Sequence, residues 1–120
     1  MKVSTVSWIS RDGNEAEVCV TDGVHQILCF AHPFSGQAGD VLYDPLFIVD
    51  PNDIVKENPG REEVIQEINV FSCKLFGQLQ NKNSGLLRIG NIFFELDENL
   101  IPGDIYSGDF ISFSCNRVDV

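Results

Sequence analysis

Four cysteines and two histidines are the residues with which this chain of 120 could do nucleophilic or metal chemistry. Cys19, Cys29, Cys73 and Cys115 contain no C-x-x-C pair, so zinc-ribbon and thioredoxin-like arrangements lose their main support. Cys29 and His32 stand three apart, which on a strand places them on opposite faces. A shared zinc would need a bend at His32-Pro33 and two further ligands. Cys73 or Cys115 with a histidine base would make a nucleophile, yet no cysteine precedes a helix N-terminus that would lower its pKa. Tyr43 and Tyr106 have many acids for neighbours, and chance proximity alone accounts for such pairs. There is no G-x-G-x-x-G, phosphate loop or G-x-S-x-G elbow. Asp50, Asp53 and Glu57 lack the ligand density and central glycine of a calcium loop. The expectation is a protein that is not an enzyme and holds no metal or cofactor.

The elements that must position these residues read as strands almost throughout. Residues 3–10 are β-branched and aromatic and stop at Arg11-Asp12-Gly13-Asn14, a turn sequence. Residues 15–21 alternate, Asp22-Gly23 favours a tight hairpin, and residues 24–31 return. A two-residue loop would set Val18 opposite Ile27 and gather Ala16, Val18, Val20, His25, Ile27 and Cys29 on a core face. His25 then sits at the core margin near the turn. His32-Pro33 ends the strand. Residues 41–49 are apolar but carry Pro45, which predicts an edge or bulged strand. Residues 53–57 could make a short helical turn, and residues 62–68 two helical turns at most. The polar stretch 56–63, with Asn58-Pro59-Gly60, reads as a mobile surface loop.

The second half begins near residue 64. Residues 68–79 form a long strand candidate with Gly77 inside it, a position that often marks a bulge or a coil of the sheet. Residues 86–89 and 92–96 flank Gly90-Asn91, and residues 110–118 close the chain. A Gly-Asp step precedes an apolar strand in each half, at Gly39-Asp40 and Gly108-Asp109. Glycine supplies the unusual backbone angle and aspartate can satisfy nearby amides. The predicted fold is all-β: a single domain, residues 1–120, built as an antiparallel barrel or strongly coiled sheet with at most one or two helical turns. Two repeated halves, 1–57 and 64–120, would be joined by the loop 56–63. The second half resembles an OB-like arrangement.

Charge is the most informative property. Eighteen acids oppose eight bases, a formal charge of −10. That field repels phosphates and anionic lipid, so neither nucleic acid nor membrane is an expected partner. No apolar run approaches the roughly 20 residues that span a bilayer, and no secretory leader is seen. The cysteines lie in apolar runs, as buried free thiols do, which suits a reducing cytoplasm. Between residues 89 and 116 there is no base, while Glu95, Asp97, Glu98, Asp104 and Asp109 add five negative charges. Tyr106 lies among them. In size, acidity and lack of a catalytic motif the chain resembles immunity and antitoxin proteins. The resemblance implies a basic protein partner, such as a nuclease toxin, whose positive cleft is covered by Glu95, Asp97, Glu98, Asp104, Tyr106 and Asp109. The alternative is an OB-like module for nucleic acid or a small ligand, which would want bases along its groove.

Overall fold

The computed structural model describes residues 1–120. Alternating burial dominates it: in β2 (Glu15–Thr21) Ala16, Val18 and Val20 are wholly buried while their neighbours are half-exposed. Each such valine gains about 1.5–3 kcal/mol from leaving water, and that gain fixes which face of the strand turns inward. Around β2 run β1 (Lys2–Ser10) and β3 (Gln26–Ala31). They are followed by β4 (Leu46–Val49), β5 (Asn52–Lys56) and β6 (Glu63–Ile65). The second half supplies β7 (Cys73–Asn81), β8 (Leu86–Ile89), β9 (Ile92–Glu95), β10 (Phe110–Cys115) and β11 (Arg117–Asp119). The one helical element is a 3-10 turn, Glu98–Leu100. Residues 53–57 and 62–68, which the sequence allowed as helical turns, instead contribute β5 and β6.

All eleven strands belong to one mixed sheet, in the order β1-β2-β3-β11-β4-β9-β8-β7-β10-β5, with β6 pairing β7 off that path. The sheet does not close into a barrel, and it is not wholly antiparallel. β11 lies parallel to β3, and β4 lies parallel to β9. Parallel partners cannot be joined by a tight turn, and here each pair unites strands distant in the chain. With no helix to cover it, the sheet buries its inner face against itself, around one cluster of 24 residues.

The order is the same in both directions away from the antiparallel β4–β11 pair. β3, β2 and β1 lie on one side, with β9, β8 and β7 on the other. Residues 39–42 then flank β1 as β10 flanks β7, a Greek-key order on each side. The two Gly-Asp steps match closely. Gly39 and Gly108 have φ of 93° and 95°. Asp40 accepts from the Gln37 amide at 2.9 Å and Asp109 from the Tyr106 amide at 2.9 Å. Each step then exchanges two backbone hydrogen bonds with one buried strand residue, Val3 in β1 and Leu79 in β7.

Several local expectations shift. The β2–β3 loop has four residues, so Val18 faces Cys29 and Val20 faces Ile27. The two-residue offset preserves parity, so the same valines stay inside, but His25 moves into the loop. Pro45 sits just before β4, where a missing amide donor costs no ladder bond, and β4 runs through the middle of the sheet rather than along an edge. Gly77 marks a close approach rather than a bulge: a Cβ there would lie 2.6 Å from the Arg88 carbonyl oxygen. Within the loop 56–63 the Arg61 guanidinium lies 3.7 Å over the Phe76 ring. The closing apolar segment divides at Asn116 into β10 and β11.

Candidate functional site

The parallel β4–β9 pair brings together two residues 48 positions apart in the chain, Phe47 and Glu95. Leu46, Ile48, Phe94 and Leu96 are fully buried, so the strand alternation turns Phe47 and Glu95 outward. After Glu95 the chain bends. Leu96 donates its amide to the Gly85 carbonyl at 2.9 Å. Gly85, at φ 69°, is packed so tightly that a Cβ would collide with the Leu96 carbonyl. Asp97 caps the 3-10 turn, accepting from the Asn99 amide at 3.0 Å. Glu98 follows in the first turn and points to solvent. The result is an open groove of about 350 Å³ lined by Phe47, Ser84, Glu95, Asp97 and Glu98.

Phe47 is 47% exposed and is the one exposed residue among nine phenylalanines. It lies in a straight row across the outer face, Phe30–Asp119–Phe47–Glu95, set by three strand pairings. At the Phe30 end the aromatic is covered. The Arg117 guanidinium lies 4.5 Å from the ring centroid, and Asp119 holds that guanidinium through two hydrogen bonds, at 2.6 and 3.0 Å. The pairing raises the Arg117 pKa. Phe71 packs edge-on against the same ring. At the Phe47 end the acid is present and no cation is. None of the five cation–aromatic contacts involves Phe47, and none of the five ion pairs involves Glu95, Asp97 or Glu98.

The other sequence-predicted residues lie across the β7–β8 turn. Lys82 in that turn donates its ammonium to the Pro102 and Gly103 carbonyls at 3.2 and 3.3 Å and rests 5.2 Å from the Tyr106 ring. Tyr106 therefore already has a cation, although 63% of it remains exposed. Asp109 is engaged too. Its carboxylate accepts from the Tyr106 amide and pairs with Lys56 at 3.5 Å. The Tyr106 amide, and then Lys56, hold its pKa below the usual value. Asp104 is exposed and enters no ion pair. The six predicted residues thus divide into Glu95, Asp97 and Glu98 around an open groove, and Asp104, Tyr106 and Asp109 on a loop held by Lys82 and Lys56.

A second carboxylate cluster went unnoticed in the sequence. Asp22 in the β2–β3 loop accepts from the amides of Val24 at 2.9 Å, His25 at 2.6 Å and Asn91 at 2.8 Å. Its side chain is 3% exposed, with the His25 Nδ1 at 3.3 Å. Burial alone would raise its pKa, but the amides of Asn91, His25 and Val24 outweigh burial and push it far below normal. Glu62 accepts from the Gly90 amide at 3.0 Å and lies 3.7 Å from the Arg88 Nε. Two carboxylates from distant segments therefore grip the Gly90-Asn91 turn. Gly90 has φ of 57°, and a Cβ there would collide with the Asp22 carboxylate and the His25 ring. This cluster holds the fold and offers no free charge. The Asp22-Gly23 and Gly90-Asn91 dipeptides announced two turns, not that one would clamp the other.

Cys29 faces the core while His32 is exposed, so the two do not converge. No group of three or more His, Cys, Asp or Glu side chains is gathered so as to hold a metal ion. No helix is long and apolar enough to cross a membrane. Comparisons with protein-family models, curated proteins and solved structures give no match.

Proposed function

We propose that this chain is an acidic protein-binding domain of the immunity or antitoxin type, which neutralises a basic toxin, such as a nuclease, by covering its positive active-site surface. The observation that carries this reading is the unequal pair of aromatic–acid sites in one row of the sheet. Phe30 and Asp119 hold an arginine of this chain, whereas Phe47 and Glu95 hold none. An aromatic face beside a carboxylate suits a guanidinium, which stacks on the ring while it donates to the acid. Asp97 and Glu98 add to the field that would draw a cationic surface toward the groove, and Phe47 supplies the apolar anchor. Asp104 and Tyr106 widen the contact across the β7–β8 turn, and Asp109 holds their loop in shape. A nuclease must attract phosphate, so its cleft is positive, and carboxylates on a rigid sheet can occupy that cleft in place of the substrate.

The test is co-purification with the basic proteins encoded beside its gene, followed by titration of the purified pair. The triple variant E95K/D97K/E98K should weaken binding at least about 100-fold, since close charge pairs at such interfaces contribute several kcal/mol. Unchanged affinity across that triple would reject the proposal. The Greek-key order β10-β7-β8-β9 favours a second reading, an OB-like module for a ligand or nucleic acid. Its groove would need exposed aromatics and bases, and Phe47 stands among acids instead. Tight binding of single-stranded oligonucleotides at low salt would establish that second reading and displace the first.

A further inference from the structure

Cys73 opens β7 and Cys115 closes β10, and the two are directly opposed in the antiparallel ladder. Their sulfurs lie 3.5 Å apart, and both are free thiols. Directly opposed antiparallel residues have Cα separations of about 4.5–5.5 Å, which falls inside the span of about 4.4–6.8 Å that a disulfide tolerates. Closing the sulfurs to a bonded distance near 2.05 Å asks for about 1.5 Å of side-chain rotation and no strand movement. The residues are 8% and 3% exposed, but they form part of the wall of an open groove of about 410 Å³. Ser72, Ser114, Asn52 and Asn116 add polar groups to that wall, beside Ile65, Val70 and the Glu67 carboxylate. Cys29, by contrast, is fully buried, and no hydrogen bond links it or Cys19 to a second thiol.

We propose that Cys73 and Cys115 form a modification site, at which a small hydroperoxide entering this groove oxidises the pair to a reversible cross-strand disulfide. The roles of the two sulfurs are unequal. Either sulfur can donate its S–H across the 3.5 Å contact; donation from Cys73, together with the Arg117 and Cys73 backbone amides, lowers the Cys115 pKa against the opposing effect of burial. In that arrangement Cys73, as the donor and by its burial, keeps its proton. The Cys115 thiolate attacks one peroxide oxygen and the O–O bond breaks. The departing alkoxide takes up the proton that Cys115 had released, leaving an alcohol and a sulfenic acid. The Cys73 sulfur then attacks the Cys115 sulfur, the S–O bond breaks, and hydroxide leaves with the Cys73 proton as water. Two thiols lose two electrons and two protons, and the hydroperoxide is reduced to alcohol and water. A dithiol reductant reverses the bond by exchange.

The reduced full chain is exposed to a small excess of hydrogen peroxide, alkylated under denaturing conditions and mapped by mass spectrometry. The expected product carries two alkylated cysteines, Cys19 and Cys29, and one cross-linked peptide joining Cys73 to Cys115. Cys73→Ser should stop at a sulfenic acid on Cys115 that dimedone traps, and Cys115→Ser should lose the reaction. If either variant fails to fold, phenylarsine oxide on the reduced wild-type chain replaces it, and one arsenical should protect Cys73 and Cys115 together. Four alkylatable cysteines after peroxide, a cross-link through Cys19 or Cys29, or arsenical protection of any other pair would overturn the proposal.

Discussion

The β8–β9 hairpin meets carboxylates at both ends and uses them in opposite ways. At its tight end Asp22 and Glu62 arrive from elsewhere in the chain and are consumed by the backbone amides of Gly90 and Asn91. At its open end the hairpin and its exit supply Glu95, Asp97 and Glu98, which face solvent beside Phe47 and meet no base of the chain. A formal charge of −10 therefore does not describe one uniform surface. Part of it is a clamp whose carboxylates are engaged by backbone amides, with Asp22 almost fully buried and held by three of them. Another part is uncommitted, and only that part is available to a partner.

Five variants would break or sharpen this contrast. Gly90→Ala should have the largest effect. It forces a side chain into a left-handed backbone position and displaces the Asp22 carboxylate and His25, and urea unfolding should show a loss of about 2–4 kcal/mol. A loss under about 0.5 kcal/mol would mean that the clamp is slack. Asp22→Asn should cost about 1–3 kcal/mol at neutral pH, because charge-assisted bonds to three amides are weakened.

That cost should also depend on pH. The folded-state pKa of Asp22 lies below its unfolded value, so the unfolded chain binds more protons in acid and the wild type gains stability as pH rises. The contribution is complete above the unfolded pKa, near 4, and is lost as pH falls toward the folded value. The gap between wild type and Asp22→Asn, followed by denaturant midpoint, should be flat from pH 7 to about 5 and narrow below about 4. A gap that widens in acid would contradict the clamp.

Arg117→Ala comes next. It uncovers Phe30 and frees Asp119, making the covered end of the row resemble the open one. A surface ion pair and a partly exposed cation–aromatic contact are each worth up to about 1 kcal/mol, so thermal unfolding should show a loss of about 0.5–1.5 kcal/mol. Smallest of all, Glu95→Gln and Glu98→Gln should leave stability within about 0.5 kcal/mol of wild type, since neither side chain holds another group. A larger loss in either would place that carboxylate with the clamp.

Strand alternation was legible because burial enforces it. Val18, Val20, Ile27 and Cys29 share one face whether the β2–β3 loop holds two residues or four, as a two-residue slip leaves parity untouched. The Gly-Asp steps were legible because their chemistry is local, a positive φ followed by a side chain that reaches an amide three residues back. The parallel pairs β3–β11 and β4–β9 left no local trace, since parallel register comes from crossovers rather than turns. The Phe47–Glu95 pairing and the covering of Phe30 by Arg117 were hidden for the same reason. Pro45 misled for a related one: proline excludes ladder interiors, yet it is tolerated one step before a strand begins. Asp109 looked as available as Glu98, and only the positions of Lys56 and the Tyr106 amide separate them.

The most direct test of the division between committed and free carboxylates is a heteronuclear NMR titration of the full chain with an arginine-rich peptide at low ionic strength. Backbone amide shifts would be followed along the sequence. The largest and earliest changes should fall at Phe47 and between Glu95 and Asn99, weaker ones at Asp104 and Tyr106, and almost none at Asp22, Glu62 or Gly90. Shifts spread evenly over the acidic residues, or centred away from Phe47, would contradict the account.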